Sequence, residues 1–158
     1  MRDFADVSGL EGAPFGLAFC AFNTFFALLK QEDQLGCFAS VADALAPGGS
    51  FVIEAFVPDT TRFSQPQPAL VMGMPADAVY LDASHHDAAA QRVSTRIVKL
   101  AASGTRIFPI EIRYAWPSEL DLMARLAGLE LVGRWSGWRR QPFFSGASGH
   151  VSAWRKPG

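Results

Sequence analysis

Leu45-Ala46-Pro47-Gly48-Gly49-Ser50-Phe51-Val52-Ile53-Glu54-Ala55-Phe56 is the stretch that decides the fold. Proline cannot continue a helix and glycine supplies backbone angles closed to other residues, so a helix should end at Pro47-Gly48-Gly49. The apolar run 50–56 that follows reads as a strand. Upstream, Phe38, Val41, Ala42 and Leu45 recur at the i, i+3, i+4, i+7 spacing of one buried helix face. Further back, Phe15-Gly16-Leu17-Ala18-Phe19-Cys20-Ala21-Phe22 is almost continuously apolar, as expected of a strand buried on both faces of a parallel sheet. Strand, helix and strand make a βαβ unit, whose crossover is almost always right-handed. Between them, Asn23-Thr24 offers a cap for a helical stretch carrying Phe25, Phe26, Leu28 and Leu29.

Downstream the pattern changes. Residues 58–68 are polar and proline-rich, a loop. Residues 78–82, 91–100 and 105–116 read as strands, with Ser103-Gly104 as a hairpin turn. Along the last of them Arg106, Phe108, Ile110, Ile112, Tyr114 and Trp116 share one mostly apolar face, which suits an antiparallel sheet covered on one side. Pro109 belongs at an edge or bulge, because it has no N–H for a ladder. Pro117 opens a helix with Leu120, Met123 and Ala127 on one side and Leu122, Leu126 and Leu129 on the next; Gly128 ends it. Residues 130–135 and 151–155 read as a closing pair of strands. The chain thus divides into an α/β part, 1–56 and 117–158, and an antiparallel insertion, 57–116.

Composition narrows the function. Of 158 residues 49% are apolar and 18% charged, enough for a packed core. The net charge is −1 with the signs interspersed, which argues against a nucleic-acid or anionic-membrane partner. Arg134, Arg139, Arg140, Arg155 and Lys156 form the densest basic group and read mainly as solvated surface. Cys20 and Cys37 sit in apolar stretches without metal-ligand spacing, so free thiols, no metal site and a cytoplasmic location are expected. No apolar run is long enough to span a bilayer.

The buried first strand, the helix, Leu45-Ala46-Pro47-Gly48-Gly49 and the strand 50–56 together resemble the fourth and fifth strands of class I S-adenosylmethionine-dependent methyltransferases. Tyr114-Ala115-Trp116-Pro117-Ser118-Glu119-Leu120 and Ala127-Gly128-Leu129 resemble the later part of a bacterial small-molecule branch, similar to amino-sugar N-methyltransferases. The resemblance implies the C-terminal part of a Rossmann-like sheet with an inserted antiparallel roof over the substrate site. Two departures stand out. Where the family writes Phe-Asp-Leu, this chain has Phe15-Gly16-Leu17, and the segment carrying the Gly-x-Gly cofactor turn has no counterpart.

The resemblance also implies site residues. S-adenosylmethionine would be met by Phe22 and Asn23, just past the first strand, and by Met1, Arg2 and Asp3, similar to the family's adenine-contacting segment. At Asn23 a helix cap is the competing reading. His85 and His86 are the tandem candidates for acid–base work, needed only if the acceptor must lose a proton. Ser84-His85-His86-Asp87 reads more readily as a polar turn between roof strands, as its flanking Asp82 and Asp87 suit turns. Tyr114 and Trp116 are core residues or the border of a small-molecule substrate pocket. Glu54 is a charge in a buried strand, ending either at a pocket or beside an arginine. Without its first three strands the fold would leave the strand at 15–22 with an unpaired edge, open to a second copy. A non-catalytic assembly module, or an inactive remnant, is the alternative.

Overall fold

Two four-stranded sheets organise the chain, in a computed structural model that describes residues 5–7, 9–59, 61 and 69–158. One compact unit takes the chain as far as Pro58 and again from Ala115–Gly158; the other is Asp59–Tyr114. The mixed α/β architecture is the fold class expected from the sequence.

In the first unit β1 (Phe15–Cys20) runs parallel to β2 (Leu45–Phe56). The final strand β8 (Gly149–Arg155) inserts antiparallel between β2 and β7 (Glu130–Trp135), giving the order β1-β2-β8-β7. Helix α1 (Gln31–Ala44) makes the crossover, with Glu32 and Asp33 in its first turn, where the helix dipole favours them. Its expected face is buried: Phe38 is 0% and Leu45 1% exposed. Phe38 stands edge-on to Phe25, Phe51 and Trp154 at 5.2–5.4 Å between ring centres, so one ring ties helix, turn and two strands together. Lys156 donates through Nζ to the carbonyls of Ala42 and Leu45, closing the carboxyl end of α1.

Gly49 has no room for a side chain. A Cβ there would lie 2.8 Å from the Ala46 carbonyl oxygen and 2.9 Å from that of Phe15, both backbone. The helix stops at Ala44 and the strand ladder begins at Leu45, so Pro47-Gly48-Gly49 is an irregularity inside β2 rather than a turn before it. Helix α2 (Pro117–Leu126) starts on its proline and is followed by Gly128 at φ 74°. Leu120, Met123 and Leu129 are buried, whereas Leu122 and Leu126 are 56% and 78% exposed.

The register sorts the sheet into two faces. Phe51, Ile53 and Ala55 share a face with Trp154, Ser152 and His150, and all six are buried. Leu17 and Phe19 pair with Ser50 and Val52 on the opposite face and are 58% and 67% exposed. Burial of β1 on both faces is therefore not observed: one side is packed, the other open. The helix expected after Asn23 is only a 3-10 turn, Thr24–Ala27.

The second unit is an antiparallel meander, β3 (Leu70–Gly73), β4 (Ala78–Asp87), β5 (Arg92–Ala101) and β6 (Gly104–Arg113), in that spatial order. Strand β3 was not expected. β4 runs five residues past the expected end at Asp82, because Ser84 Oγ bridges Asp82 and Thr95 and the ladder continues to the Asp87–Arg92 pair. Pro109 does lie on an edge strand, β6. That strand stops at Arg113, and the apolar face expected to be covered is open at Phe108 and Ile110, 46% and 48% exposed.

Candidate functional site

Strands β1, β2 and β7 finish at the same end of their sheet, where β8, antiparallel to its neighbours, begins. Open sheets present residues to ligands at such carboxyl ends. A cleft of about 210 Å³ lies there, bordered by Phe22, Asn23, Glu54, Ser136, Ser148 and His150 among others.

Its first wall is built on unusual backbone. Phe22 and Asn23 both have left-handed angles, φ 55° and 60°. Asparagine tolerates that region; a bulky aromatic does not, and such strain gathers where structure serves a site. Hydrogen bonds hold the pair. The Phe22 N–H donates to Glu54 Oε2 at 2.9 Å and the Asn23 N–H to the Glu54 carbonyl at 3.2 Å. The Phe56 N–H in turn donates to Asn23 Oδ1 at 2.7 Å. Asn23 therefore does not cap the following turn with its side chain; it clips the end of β1 to the end of β2. Glu54, the odd charge of the strand, ends at this cleft, with no arginine paired to it among the described residues. Phe22, fixed by its backbone, is 86% exposed.

The second wall is a buried polar chain. Arg134 donates to Ser152 Oγ at 2.7 Å, to Asp121 Oδ1 at 2.7 Å and to the Pro117 carbonyl at 3.2 Å. Trp154 Nε1 donates to the same Asp121 oxygen at 3.0 Å. Ser152 Oγ lies 2.8 Å from His150 Nδ1. Arg134 is thus not solvated surface: it carries this network, and Lys156 is likewise engaged. His150 is 2% exposed. Burial, helped by the Arg134 charge and opposed by Asp121, lowers its pKa from 6.5 to about 4, so the ring is neutral. Neither His150 nor Ser152 was singled out from the sequence. The available signal was two polar residues, His150 and Ser152, alternating in step with the core residue Trp154 on an inward-facing strand.

His85 and His86 lie on β4, not in a turn, and neighbouring strand residues point to opposite faces. They therefore do not form a tandem pair. His86 Nε2 is 2.9 Å from the Tyr114 hydroxyl, while His85 is exposed. Asp87 does serve a turn, accepting from the Ala90 N–H. Tyr114 is buried within the second unit and Trp116, 39% exposed, precedes α2 in the first. Both lie beyond the end of β6, so they do not share its face as a continuous strand would require. Met1, Arg2 and Asp3 lie outside the described residues. Among the described residues no group of three or more His, Cys, Asp or Glu is placed to hold a metal.

No protein-family profile matches the chain. It is 24% identical to the cypemycin N-terminal methyltransferase of a Streptomyces species over 147 residues, 87% of this chain and 60% of that protein. Its structure superposes on the CcbJ methyltransferase of Streptomyces caelestis with a TM-score of 0.91 at 38% identity, covering 100% of this chain and 63% of that one. An amino pentose methyltransferase from Micromonospora echinaspora, solved with S-adenosylmethionine bound, superposes with a TM-score of 0.65 at 21% identity, covering 98% and 63%. The chain spans about three-fifths of the length of these relatives. Its fold is that of the corresponding part of S-adenosylmethionine-dependent methyltransferases.

Proposed function

We propose that this chain forms the C-terminal part of an S-adenosylmethionine-dependent methyltransferase domain acting on a nitrogen or oxygen of a small molecule. The observation that carries this reading is the superposition over 100% of the chain on the Streptomyces caelestis methyltransferase at 38% identity. The cleft at the strand ends supports it. In this reading the strained Phe22-Asn23 corner faces the cofactor, and Met1, Arg2 and Asp3 extend that surface. Tyr114 and Trp116 belong to the substrate side. Methyl transfer from a sulfonium is an in-line displacement driven mainly by proximity and orientation. A base acts only where the acceptor carries a proton to lose; His86, bonded to Tyr114, is the candidate, and His85 has no supporting partner in that role among the described residues. Cysteine thiols not used in a disulfide, Cys20 and Cys37, favour a cytoplasmic setting; no described helix is long and apolar enough to cross a membrane.

The 158 residues contain no Gly-x-Gly turn, so alone they should bind S-adenosylmethionine weakly. Calorimetry on the chain, and on a chimera adding the N-terminal part of the Streptomyces caelestis relative, tests both statements. The expected result is micromolar binding and transfer of labelled methyl to small amines or alcohols by the chimera only. Micromolar binding by the 158 residues overturns the first statement; a folded chimera that binds no cofactor overturns the methyltransferase reading.

One observation favours a second reading, self-association through β1. That strand has a single neighbour among the described strands and exposes Leu17 and Phe19. Sedimentation should show a dimer or larger species that L17E/F19E dissolves. A monomer across a wide concentration range eliminates it.

A further inference from the structure

Ser152 decides which nitrogen of His150 carries the proton. Its hydroxyl oxygen receives a hydrogen bond from Arg134 Nε, and the residue is 0% exposed. A buried hydroxyl must place its own proton on an acceptor, and His150 Nδ1 is 2.8 Å away. Nδ1 is therefore the lone-pair nitrogen, and the ring proton sits on Nε2. That Nε2 is buried and has no hydrogen-bond partner among the described residues. It belongs to a ring bordering the cleft. Elsewhere this wall leaves little unmade: Arg134, Asp121 and Trp154 Nε1 all have partners. A desolvated donor left without an acceptor is expensive, and one group in such a cleft can supply what is missing.

We propose that His150 Nε2–H is a recognition donor for an uncharged oxygen, a hydroxyl or carbonyl, of a molecule entering the cleft at the strand ends. This rests on reading the cleft as the ligand side of the methyltransferase domain, and it adds the chemistry that the ligand must present. The charges nearest the ring on its own face of the sheet are already matched. Arg134 on β7 and Asp121 on α2 neutralise each other at 2.7 Å. Glu54 borders the cleft from β2, but the register sets it on the opposite face of the sheet from His150. A neutral ring linked through Ser152 to an ion pair already matched offers nothing to offset burial of a ligand carboxylate. An ammonium group, which has only donors, finds a donor facing it.

Nitrogen-15 NMR of the 158-residue chain reads the proton position directly. The Nε2–H form of His150 is expected, and an Nδ1–H form overturns the proposal. Acetamide and ethylammonium then serve as small probes, one with a carbonyl oxygen and one with donors only. Acetamide should perturb the Nε2–H resonance in a saturable manner and ethylammonium should leave it unchanged. Equal responses, or no response to acetamide up to its solubility, overturn the proposal. H150Q, which keeps an N–H donor, should retain acetamide binding; H150F should weaken it by about three- to tenfold, the loss of one neutral hydrogen bond. Should H150F fail to fold by circular dichroism, the two wild-type measurements still decide. None of these readouts depends on methyl transfer, so the donor can stand where the activity falls, and the reverse.

Discussion

Acidification provides the sharpest test of the buried wall, because a single histidine should dominate it. His150 is neutral in the folded protein with a pKa of about 4, against 6.5 for an exposed ring. Below pH 6.5 the unfolded chain takes up a proton that the folded chain refuses until the pH nears 4. The unfolded state therefore binds more protons in that window, and stability rises with pH across it and levels off above. At 1.36 kcal/mol per unit, the full displacement corresponds to roughly 3 kcal/mol, and roughly 2.5 kcal/mol is lost between about pH 7 and pH 4.5. Urea unfolding followed by tryptophan fluorescence, in wild type and H150Q, isolates the term, since His85 and His86 are common to both. The wild type should lose stability more steeply than H150Q by that amount. Parallel pH profiles for the two proteins would refute the reasoning.

Three further perturbations follow from the geometry. N23V removes the acceptor for the Phe56 N–H and forces a β-branched residue to φ 60°; a loss of about 2–3 kcal/mol by urea unfolding is expected, with N23G less harmful because glycine keeps the angle. G49A drives a Cβ into two backbone oxygens and should cost about 1–3 kcal/mol, whereas G16A, where nothing lies within 4 Å, should be near neutral. D121A strands the Arg134 guanidinium and the Trp154 indole N–H and should lower stability by about 3 kcal/mol; a change below 1 kcal/mol would mean that the network is decorative.

The βαβ unit was legible because its signals are local: the helix face at Phe38, Val41, Ala42 and Leu45, and proline and glycines that exclude regular helix. Pro109 was placed on an edge by its missing N–H alone. What could not be read depends on distant partners. The composition of residues 15–22 describes a strand with two apolar sides, but whether both are covered depends on elements elsewhere in the fold. His85 and His86 look like turn residues until Ser84 is seen bridging Asp82 to Thr95. The cleft was half legible. Phe22 and Asn23 could be placed at a strand end and Glu54 only at a pocket or beside an arginine, yet the clip from Asn23 to Phe56 joins residues 33 apart. His150 and Ser152 passed unnoticed because a polar residue on an inward face declares itself only once the strand's neighbours are known.

The position of β8 carries a consequence for how the molecule comes into being. The last strand of the chain is an interior strand, wedged between β2 and β7, and Lys156 closes a helix that ended more than a hundred residues earlier. During synthesis the hairpins of Asp59–Tyr114 need only nearby partners and can form early. The sheet that holds the cleft has a gap at its centre until Gly149–Arg155 emerge. Until then α1 has an open carboxyl end and the phenylalanine cluster has no Trp154. Loss of β8 would therefore fall on the middle of this sheet.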